Sequence, residues 1–525
     1  DRLVEILAQK IRKQVHIRII GDYDVDGVTS SHLFLTALRR VGAKVDVVIP
    51  HRIQDGYGLS LHLLQQAKED GVDTILTCDN GIAAIDEIAW AKAQKMTVLV
   101  TDHHAVPFEE HEGRRTEKKS LADAVVNPHQ QDCGYPYKEL CGAGVAWNVI
   151  RVLYENYDMD KREAEDLLDF VAMATVCDVM SLTGENRILV KEGLKRIRHT
   201  KNIGLQALMQ ACNVQPENIS AYHFGYVLGP CVNATGRLDT ARHALRLFET
   251  GQETEAEEIA RDLVDLNQER KELTLQGVEM AKKLCEEGGY ENDPVLVLFL
   301  PDVHESIAGL IAGRIREMYN RPVFVLTRGE EGVKGSGRST ENYSMYENMC
   351  GCAELFTKFG GHPMAAGLSL PEENVEKFRR KINENCPLTV EEVCPDIHID
   401  MAMPVGYAST ELVHQFALLE PFGKDNPSPL FADRNLSISR MWVIGKNRNV
   451  LRMSVLSEYG QPVPVIFFGD VETLFAYFTE KFGQEEVENA LHGRKNRILF
   501  SMVYTAKIDF YQGNENLQLE MKYYR

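Results

Sequence analysis

Acidic and imidazole side chains recur in this sequence where short apolar runs end. VHIRII (15–20) leads into Asp22-Tyr23-Asp24-Val25-Asp26-Gly27, DTILTC (73–78) into Asp79-Asn80-Gly81, and MTVLV (96–100) into Asp102-His103-His104. Ligands of open α/β sheets sit outside the carboxyl ends of the strands, so three such loops would aim five carboxylates and two imidazoles at one space. Like charges at that density repel. Divalent cations resolve the conflict, and mixed carboxylate and imidazole donors suit Mn²⁺ or Mg²⁺ better than a thiolate-seeking metal. A single DxD has a plainer use as a helix N-cap, and a single His-His pair is more often a surface feature. Repetition at three strand ends, with Gly27 and Gly81 permitting tight turns, favours metal. Asp178 ends the apolar stretch FVAMATVCDVMSL. An unpaired buried charge there would be costly, and a metal partner would explain it.

The elements that must position these groups follow from periodicity. Short β-branched runs, including VDVVIP (45–50), alternate with helical patterns such as SSHLFLTALRRVG and IDEIAWAKAQ through the first 180 residues. That is the signature of βαβ units and a mostly parallel sheet. The stretches Lys161 to Met180 and Glu253 to Glu286 are patterned as amphipathic helices, the second long enough to span between domains or to lie on the surface. A second α/β unit begins at DPVLVLFL (293–300), continues through a helix near 306–319 and PVFVL (322–326), and ends Gly-rich near Leu370. Beyond PFGKDNPSP (421–429), short alternating strands predict a small β-barrel or sandwich.

The chain has 525 residues, 58 Lys+Arg against 77 Asp+Glu, and a net charge of −19, which excludes a simple cationic nucleic-acid coat protein. That length predicts about three domains. With 44% hydrophobic residues the composition is globular. No apolar run approaches the ~20 residues of a membrane span, and no basic segment followed by an apolar core opens the sequence as a signal peptide would. The eleven cysteines are scattered, and Cys78, Cys177 and Cys231 sit in apolar stretches, so a reducing cytoplasmic location is expected. Cys350 and Cys352 form a C-x-C without nearby partners, a weak zinc signal.

DYDVDG, TCDNGI, TDHH and ATVCDVMSL resemble the four successive motifs of the DHH phosphoesterases, named for the triplet that stands here as Asp102-His103-His104. HRIQDGYGL (51–59), CVNATGRL (231–238), HESIAGLIAGRI (304–315), GSGRS (335–339) and FGGHPMAAG (359–367) are similar, in the same order, to segments of the family's bacterial single-strand-specific exonuclease branch. PFGKDNPSPLF (421–431) resembles the opening of its oligonucleotide-binding barrel. The resemblance implies an α/β DHH catalytic domain over 1–190, a helical connection with a long linker helix over 191–285, a second α/β domain, DHHA1, over 286–390, and an OB-like single-strand-binding domain over 391–525.

It further implies two Mn²⁺ or Mg²⁺ ions held by Asp24, Asp26, Asp79, His103 and Asp178, with Asp79 bridging and Asp22 as a further ligand. His104 would face the substrate phosphate. Two such ions generate the attacking hydroxide, which removes Ser30, Ser31 and Cys78 as nucleophile candidates. Arg338 and Ser336 would grip a terminal phosphate, with Arg52, Asn233, Arg237, His304, Arg314 and His362 as further contacts, and Arg237 set in a polar NATGR turn. The implied activity is 5′ to 3′ exonuclease action on single-stranded DNA in recombination and repair. The implied protein is a monomer, with a single-strand-binding protein and a repair helicase as partners.

For the platform that holds the strand, stacking aromatics and basic residues are required. The C-terminal region offers Trp442, Phe467, Phe468, Tyr504, Phe510 and Tyr511 with Arg448, Arg452, Arg494, Lys495 and Arg497, although strand alternation must turn many of the rings into the core. Two other functions compete. A DHH-type phosphodiesterase for short oligonucleotides, cyclic dinucleotides or pyrophosphate would not need the β-rich domain, and a non-catalytic replication scaffold would not need the full set of carboxylates.

Overall fold

The computed structural model describes all residues except 53–54, 112–113, 291–292, 330–331, 385, 389–396, 446–447 and 512–513, and omits the side chains of 111, 114–115 and 510–511. Two compact units result, Asp1–Pro395 and Asp396–Arg525. The boundary expected at 390/391 lies outside the described residues.

The first unit opens with a five-stranded parallel sheet in the order Val45–Val48, Ile17–Ile20, Thr74–Cys78, Thr97–Thr101, Ala124–Val126. Ile17–Ile20 and Thr74–Cys78 are buried along their whole length, the condition under which a strand reads as a continuous apolar run rather than an alternation. Register does the rest. Ile20 pairs with Thr77, and Thr77 with Val100, so Asp22, Asp79 and Asp102 each emerge two residues past the same level of three adjacent strands.

Helix Val25–Arg40 starts beyond the first strand, with Asp24 as its N-cap accepting from the Gly27 amide at 3.0 Å. Helix Leu168–Cys177 is buried from Leu168 through Thr175. The amphipathic pattern expected over Lys161 to Met180 is therefore corrected to a short helix, Arg162–Glu165, followed by one enclosed on all sides.

Helix Glu253–Glu287 has 35 residues, or roughly 52 Å at 1.5 Å per residue. Its Ala256, Ile259, Ala260 and Leu263 enter the core of the first sheet, and its Val278, Ala281 and Cys285 enter that of the second. It is a shared structural beam rather than a solvated surface helix. Gly277 lets it approach helix Glu305–Tyr319, where a Cβ would meet Ile311 Cδ1 at 2.3 Å. The second sheet runs Lys358–His362, Ala365–Leu370, Gly332–Arg338, Val323–Gly329, Leu296–Phe299, antiparallel except for its last pair. All of GSGRS but Ser339 thus lies on a strand.

In the second unit a six-stranded sheet runs Met401–Ala402, Phe431–Ile444, Val450–Leu456, Pro462–Phe468, Asn514–Tyr524 and Leu499–Tyr511, and Phe431–Ile444 also pairs with Leu499–Tyr511. The five longer strands close into a barrel, which removes their edges. Among the described residues, no helix is long and apolar enough to cross a membrane.

Candidate active site

Asp26 lies in the first turn of helix Val25–Arg40, and its two carboxylate oxygens accept from the Gly142 and Ala143 amides at 2.5 and 2.7 Å. Those amides open helix Gly142–Asn156, whose positive end favours a carboxylate. Burial, reinforced by the charge of Asp24, nonetheless raises Asp26 to about 6. Asp79 follows its strand in the left-handed region at φ 61°, a conformation aspartate tolerates, and Gly142 packs directly against it. Burial and the charges of Asp26, Asp24 and Asp178 push its carboxyl well above the usual range.

His103 Nε2 stands 3.1 Å from Asp79 Oδ1, 3.5 Å from Asp178 Oδ2 and 3.7 Å from Asp26 Oδ2. Burial, then the neighbouring His104, lower the ring to about 3, and its other nitrogen hydrogen-bonds the Leu140 backbone. Nε2 therefore aims a lone pair at carboxylate oxygens. The 3.1 Å approach makes no hydrogen bond, and His103 Nε2, Asp79 Oδ1 and Asp22 Oδ2 are all buried without a partner.

Buried acceptors facing acceptors call for a cation. Among the described residues the ligand-like groups are Asp79, His103 and His104, and Asp26, His103 and Asp178. Asp24 and Asp22 lie outside both groups, Asp24 capping its helix and Asp22 accepting from the Gly58 amide at 3.2 Å. Burial and Asp24 raise Asp22 well above the ordinary value. Burial also pushes the adjacent Cys78 thiol up to about 12, so the donors at neutral pH are oxygen and imidazole, a set that fits Mn²⁺ or Mg²⁺. The C-x-C at Cys350 belongs to neither group.

Asp102 has a different task. It accepts from the Ile82, His103 and His104 amides and, at 2.7 Å, from His104 Nδ1. Burial opposes its charge, but His104 and the amides hold its carboxyl below the usual range. For His104, burial is likewise outweighed by Asp102, which raises the ring to about 9.

Tyr57, whose place in HRIQDGYGL carries no chemical signal in the sequence, donates to the Asp79 carbonyl at 2.8 Å and lies 3.1 Å from His104. Its ring meets Tyr23 edge-on at 6.4 Å, and the Arg52 guanidinium covers Tyr23 at 4.8 Å.

Arg52 leads to a pocket of about 230 Å³ shared with Ser306, Lys334, Ser336 and Gly367. Arg237 donates to the Ser306 carbonyl at 2.7 Å; burial first, then Arg52, Arg270 and Arg338, lower it to about 9. Burial and Arg52 lower Arg338 too. Guanidinium groups that depress one another mark a place for an anion.

The NATGR segment is the end of helix Gly229–Leu238, a correction to the turn expected there. Asn233 accepts from the Val25 amide at 3.1 Å, and His304 caps helix Glu305–Tyr319 through Ser306, so both hold backbone in place. Arg314 is exposed beside Glu317 at 3.7 Å and does not line the pocket. His362 is exposed and lines a cavity of about 360 Å³ with Tyr57, Asn80 and His104. Lys334 and Ser306 were also missed, Ser306 although it lies within HESIAGLIAGRI, because their place in the pocket depends on packing rather than on residue type.

In the barrel, Trp442 and Phe468 are exposed, whereas Phe467 and Tyr504 are core residues, Tyr504 donating to the Met403 carbonyl. Arg452 faces Trp442 across the sheet, and Arg440 lies 5.8 Å from its ring. The Phe510 and Tyr511 side chains lie outside the described residues.

Three family models match in order: the DHH family N-terminal domain over 16–175, the DHHA1 domain over 292–386 and the RecJ OB domain over 399–523. The single-stranded-DNA-specific exonuclease RecJ of Haemophilus influenzae is 33% identical, the alignment covering 100% of this chain and 90% of that protein. The Bacillus subtilis protein of the same name is 33% identical over 87% of this chain, which spans only 56% of that longer relative. The structure of RecJ in complex with Mn²⁺ from Thermus thermophilus superposes with a TM-score of 0.80 at 26% identity, covering 100% of this chain and 71% of that one. A RecJ exonuclease structure bound to manganese matches at TM-score 0.63 and 31% identity, covering 75% and 96%. A relative one-third identical along nine-tenths of its own length, together with three family domains in sequence, places the chain in the RecJ family of DHH/DHHA1 proteins.

Proposed function

We infer that this chain is a metal-dependent exonuclease that hydrolyses phosphodiester bonds of single-stranded DNA from the 5′ end. One observation carries the chemistry: a neutral His103 and the Asp79 carboxylate face each other, unpaired and buried, beside Asp26 and Asp178. Those four residues, with Asp22 and Asp24 beside them, would hold two divalent cations. When bound, such ions supply an activated water and neutralise the scissile phosphate.

The chain's own groups do the positioning. Amides of Gly142 and Ala143 fix Asp26, and Asp102 orients His104 and favours its charged form toward a phosphate oxygen. Arg52, Arg237, Arg338, Lys334 and Ser336 would receive the terminal phosphate through charge-assisted hydrogen bonds, which sets the polarity. Trp442, Phe468 and Arg452 on the barrel support a role in holding the strand by stacking and charge. Manganese and magnesium complexes of RecJ structures agree with this choice of ions. The same inference makes the protein a cytoplasmic monomer that works beside a single-strand-binding protein and a repair helicase.

The test is hydrolysis of end-labelled single-stranded DNA, duplex DNA, short RNA and pyrophosphate with Mn²⁺ or Mg²⁺. Single-stranded DNA should be consumed from its 5′ end. Asp79→Ala should abolish cleavage and leave DNA binding intact. Equal attack on duplex, cleavage of pyrophosphate alone, or full activity of Asp79→Ala would reject the assignment.

A further inference from the structure

A cavity of about 980 Å³ in the first unit is lined by none of the metal-site or arginine-pocket residues. Its size is that of a small-molecule site. The inner wall is aromatic: the His32 ring lies 4.5 Å from Phe170 and 5.8 Å from Phe248, and the two phenylalanines are 5.0 Å apart. His32 is only 6% exposed, and its Nδ1 has no hydrogen-bond partner. A buried polar atom left unpaired costs roughly 1–3 kcal/mol. Burial holds the ring neutral, so it offers one donor and one acceptor. Beside it, the buried Asp169 carboxylate accepts from Thr200 Oγ1 at 2.7 Å and the Phe170 amide at 2.9 Å.

The rim sets Arg39, Arg40, Lys195, Arg196 and Lys201 against Asp166, Glu192 and Glu249, and not all of the cations are tightly paired. Arg40, Lys195 and Arg196 are paired with Glu163, Glu192 and Glu165. Arg39, 56% exposed, reaches Glu249 only at 3.8 Å, and Lys201 has no ion pair among the described residues. An aromatic wall with a donor and an acceptor, beneath a rim where Lys201 is unpaired among the described residues and Arg39 is held to Glu249 only at 3.8 Å, complements a planar heterocycle bearing an anionic tail.

We propose that this cavity is a second, non-catalytic site that binds a nucleoside monophosphate, with the base against His32 and the phosphate against Arg39 and Lys201. The choice of monophosphate rests on the exonuclease assignment, because hydrolysis of a terminal phosphodiester releases that class; the cavity's own chemistry does not depend on it. The site shares its walls with the metal centre. Helix Val25–Arg40 carries Asp26 in its first turn and His32 and Arg39 farther along, while helix Leu168–Cys177 carries Asp169 and Phe170 in its first turn and is C-capped by Asp178. Occupancy therefore acts on the two helices that position Asp26 and Asp178.

The experiment is calorimetric titration of the full chain with dAMP in EDTA, with deoxyadenosine and inorganic phosphate as separate ligands. It reads no hydrolysis, so failure of this site and failure of the nuclease assignment are distinguishable. In the Arg338→Ala background, where the terminal-phosphate pocket is disabled as a competing site, one dAMP should still bind, more tightly than either fragment. Reversal of the two exposed cations, Arg39→Glu with Lys201→Glu, should weaken binding roughly tenfold or more, the loss of a charge-assisted contact. Thr36→Trp, which fills the cavity, should abolish this binding. Circular dichroism checks folding, and the charge-reversal variant decides the matter if Thr36→Trp does not fold. No dAMP binding at millimolar concentration, phosphate binding as tightly as dAMP, or binding lost in Arg338→Ala but kept in the charge-reversal variant would overturn the proposal.

Discussion

Gly142 is the position where one methyl group should separate packing from chemistry. Its amide binds Asp26, and a Cβ there would stand 2.7 Å from Asp79 Cβ, 2.9 Å from Oδ1 and 3.0 Å from Cα. Carbon atoms rest at about 3.5–4.0 Å, so Gly142→Ala must force Asp79 and the helix apart by roughly 1 Å. Overpacking of this kind costs about 1–3 kcal/mol. Helix propensity acts in the opposite direction, favouring alanine by about 1 kcal/mol in a helix interior and by less at the first position. The clash wins, and a modest net loss of stability is expected. The effect on catalysis should be larger, because a misplacement of about 1 Å costs on the order of 100-fold. The assay is steady-state hydrolysis of a 5′-labelled single-stranded oligonucleotide in saturating Mn²⁺, with a urea melt and a Mn²⁺ titration alongside. The expected result is kcat down roughly 100-fold with unchanged DNA affinity, since the arginine pocket is untouched. A kcat within a factor of about two of the parent, at unchanged Mn²⁺ affinity, would refute the claim that Gly142 sets the position of Asp79.

Three further outcomes follow from individual side chains. Arg338→Ala should weaken use of a 5′-phosphorylated strand by about 1.5–3 kcal/mol and spare a 5′-hydroxyl strand; equal losses on both, measured as kcat/KM, would remove Arg338 from phosphate recognition. Trp442→Ala, at an exposed barrel position, should weaken single-strand binding by about 1–3 kcal/mol without changing the melting temperature; an unaltered Kd would deny it a stacking role. Burial raises Asp169 to about 6 despite its Thr200 hydrogen bond, so the folded state keeps a proton that the unfolded chain loses near 3.8. That favourable term is complete below the unfolded value and is lost as pH rises through 6. Asp169→Asn should therefore stabilise the protein at pH 7.5 by up to about 3 kcal/mol, with the gain gone below about pH 4; urea midpoints equal to the parent's at both pH values would contradict the sign.

Strand-end chemistry was legible in the sequence because a β-branched run followed by Asp marks both the element and its edge. The parallel register then had little freedom, and it brought Asp22, Asp79 and Asp102 to one level. Local signals failed where packing overrides propensity. Asn, Thr and Gly make NATGR read as a turn, yet Gly236 lies so close to Tyr23 that a Cβ would meet its carbonyl at 2.5 Å, and Asn233 caps the neighbouring helix. Those contacts keep the segment helical and turn Arg237 toward Ser306. Arg314 has the same residue type but faces outward, a distinction set by helix phase against the second sheet. Lys334 and Tyr57 join the site only through pairings distant in sequence, which single-sequence patterns do not carry.

A net charge of −19 is compatible with binding a polyanion because the fold sorts its charges. The segment from Arg434 to Arg525 carries 12 Lys+Arg against 10 Asp+Glu, so the acid excess lies elsewhere. Part of that excess is the cluster at the strand ends, where burial and mutual repulsion raise Asp22, Asp26 and Asp79. Such carboxyls exchange protons for cations, which reverses the local sign. The arginine pocket has the opposite frustration: Arg237 and Arg338 are lowered by burial and by Arg52, and neither forms an ion pair among the described residues. Arg52 stands at the seam, since its charge also lowers Asp22. Lys334 is paired with Glu305 at 2.8 Å, but the arginines are not paired among the described residues, so the carboxyls remain short of cations and the guanidinium groups short of an anion. A nucleotide flanked by two phosphates meets both demands at once, one phosphate at the cation-bearing centre and the other among the arginines.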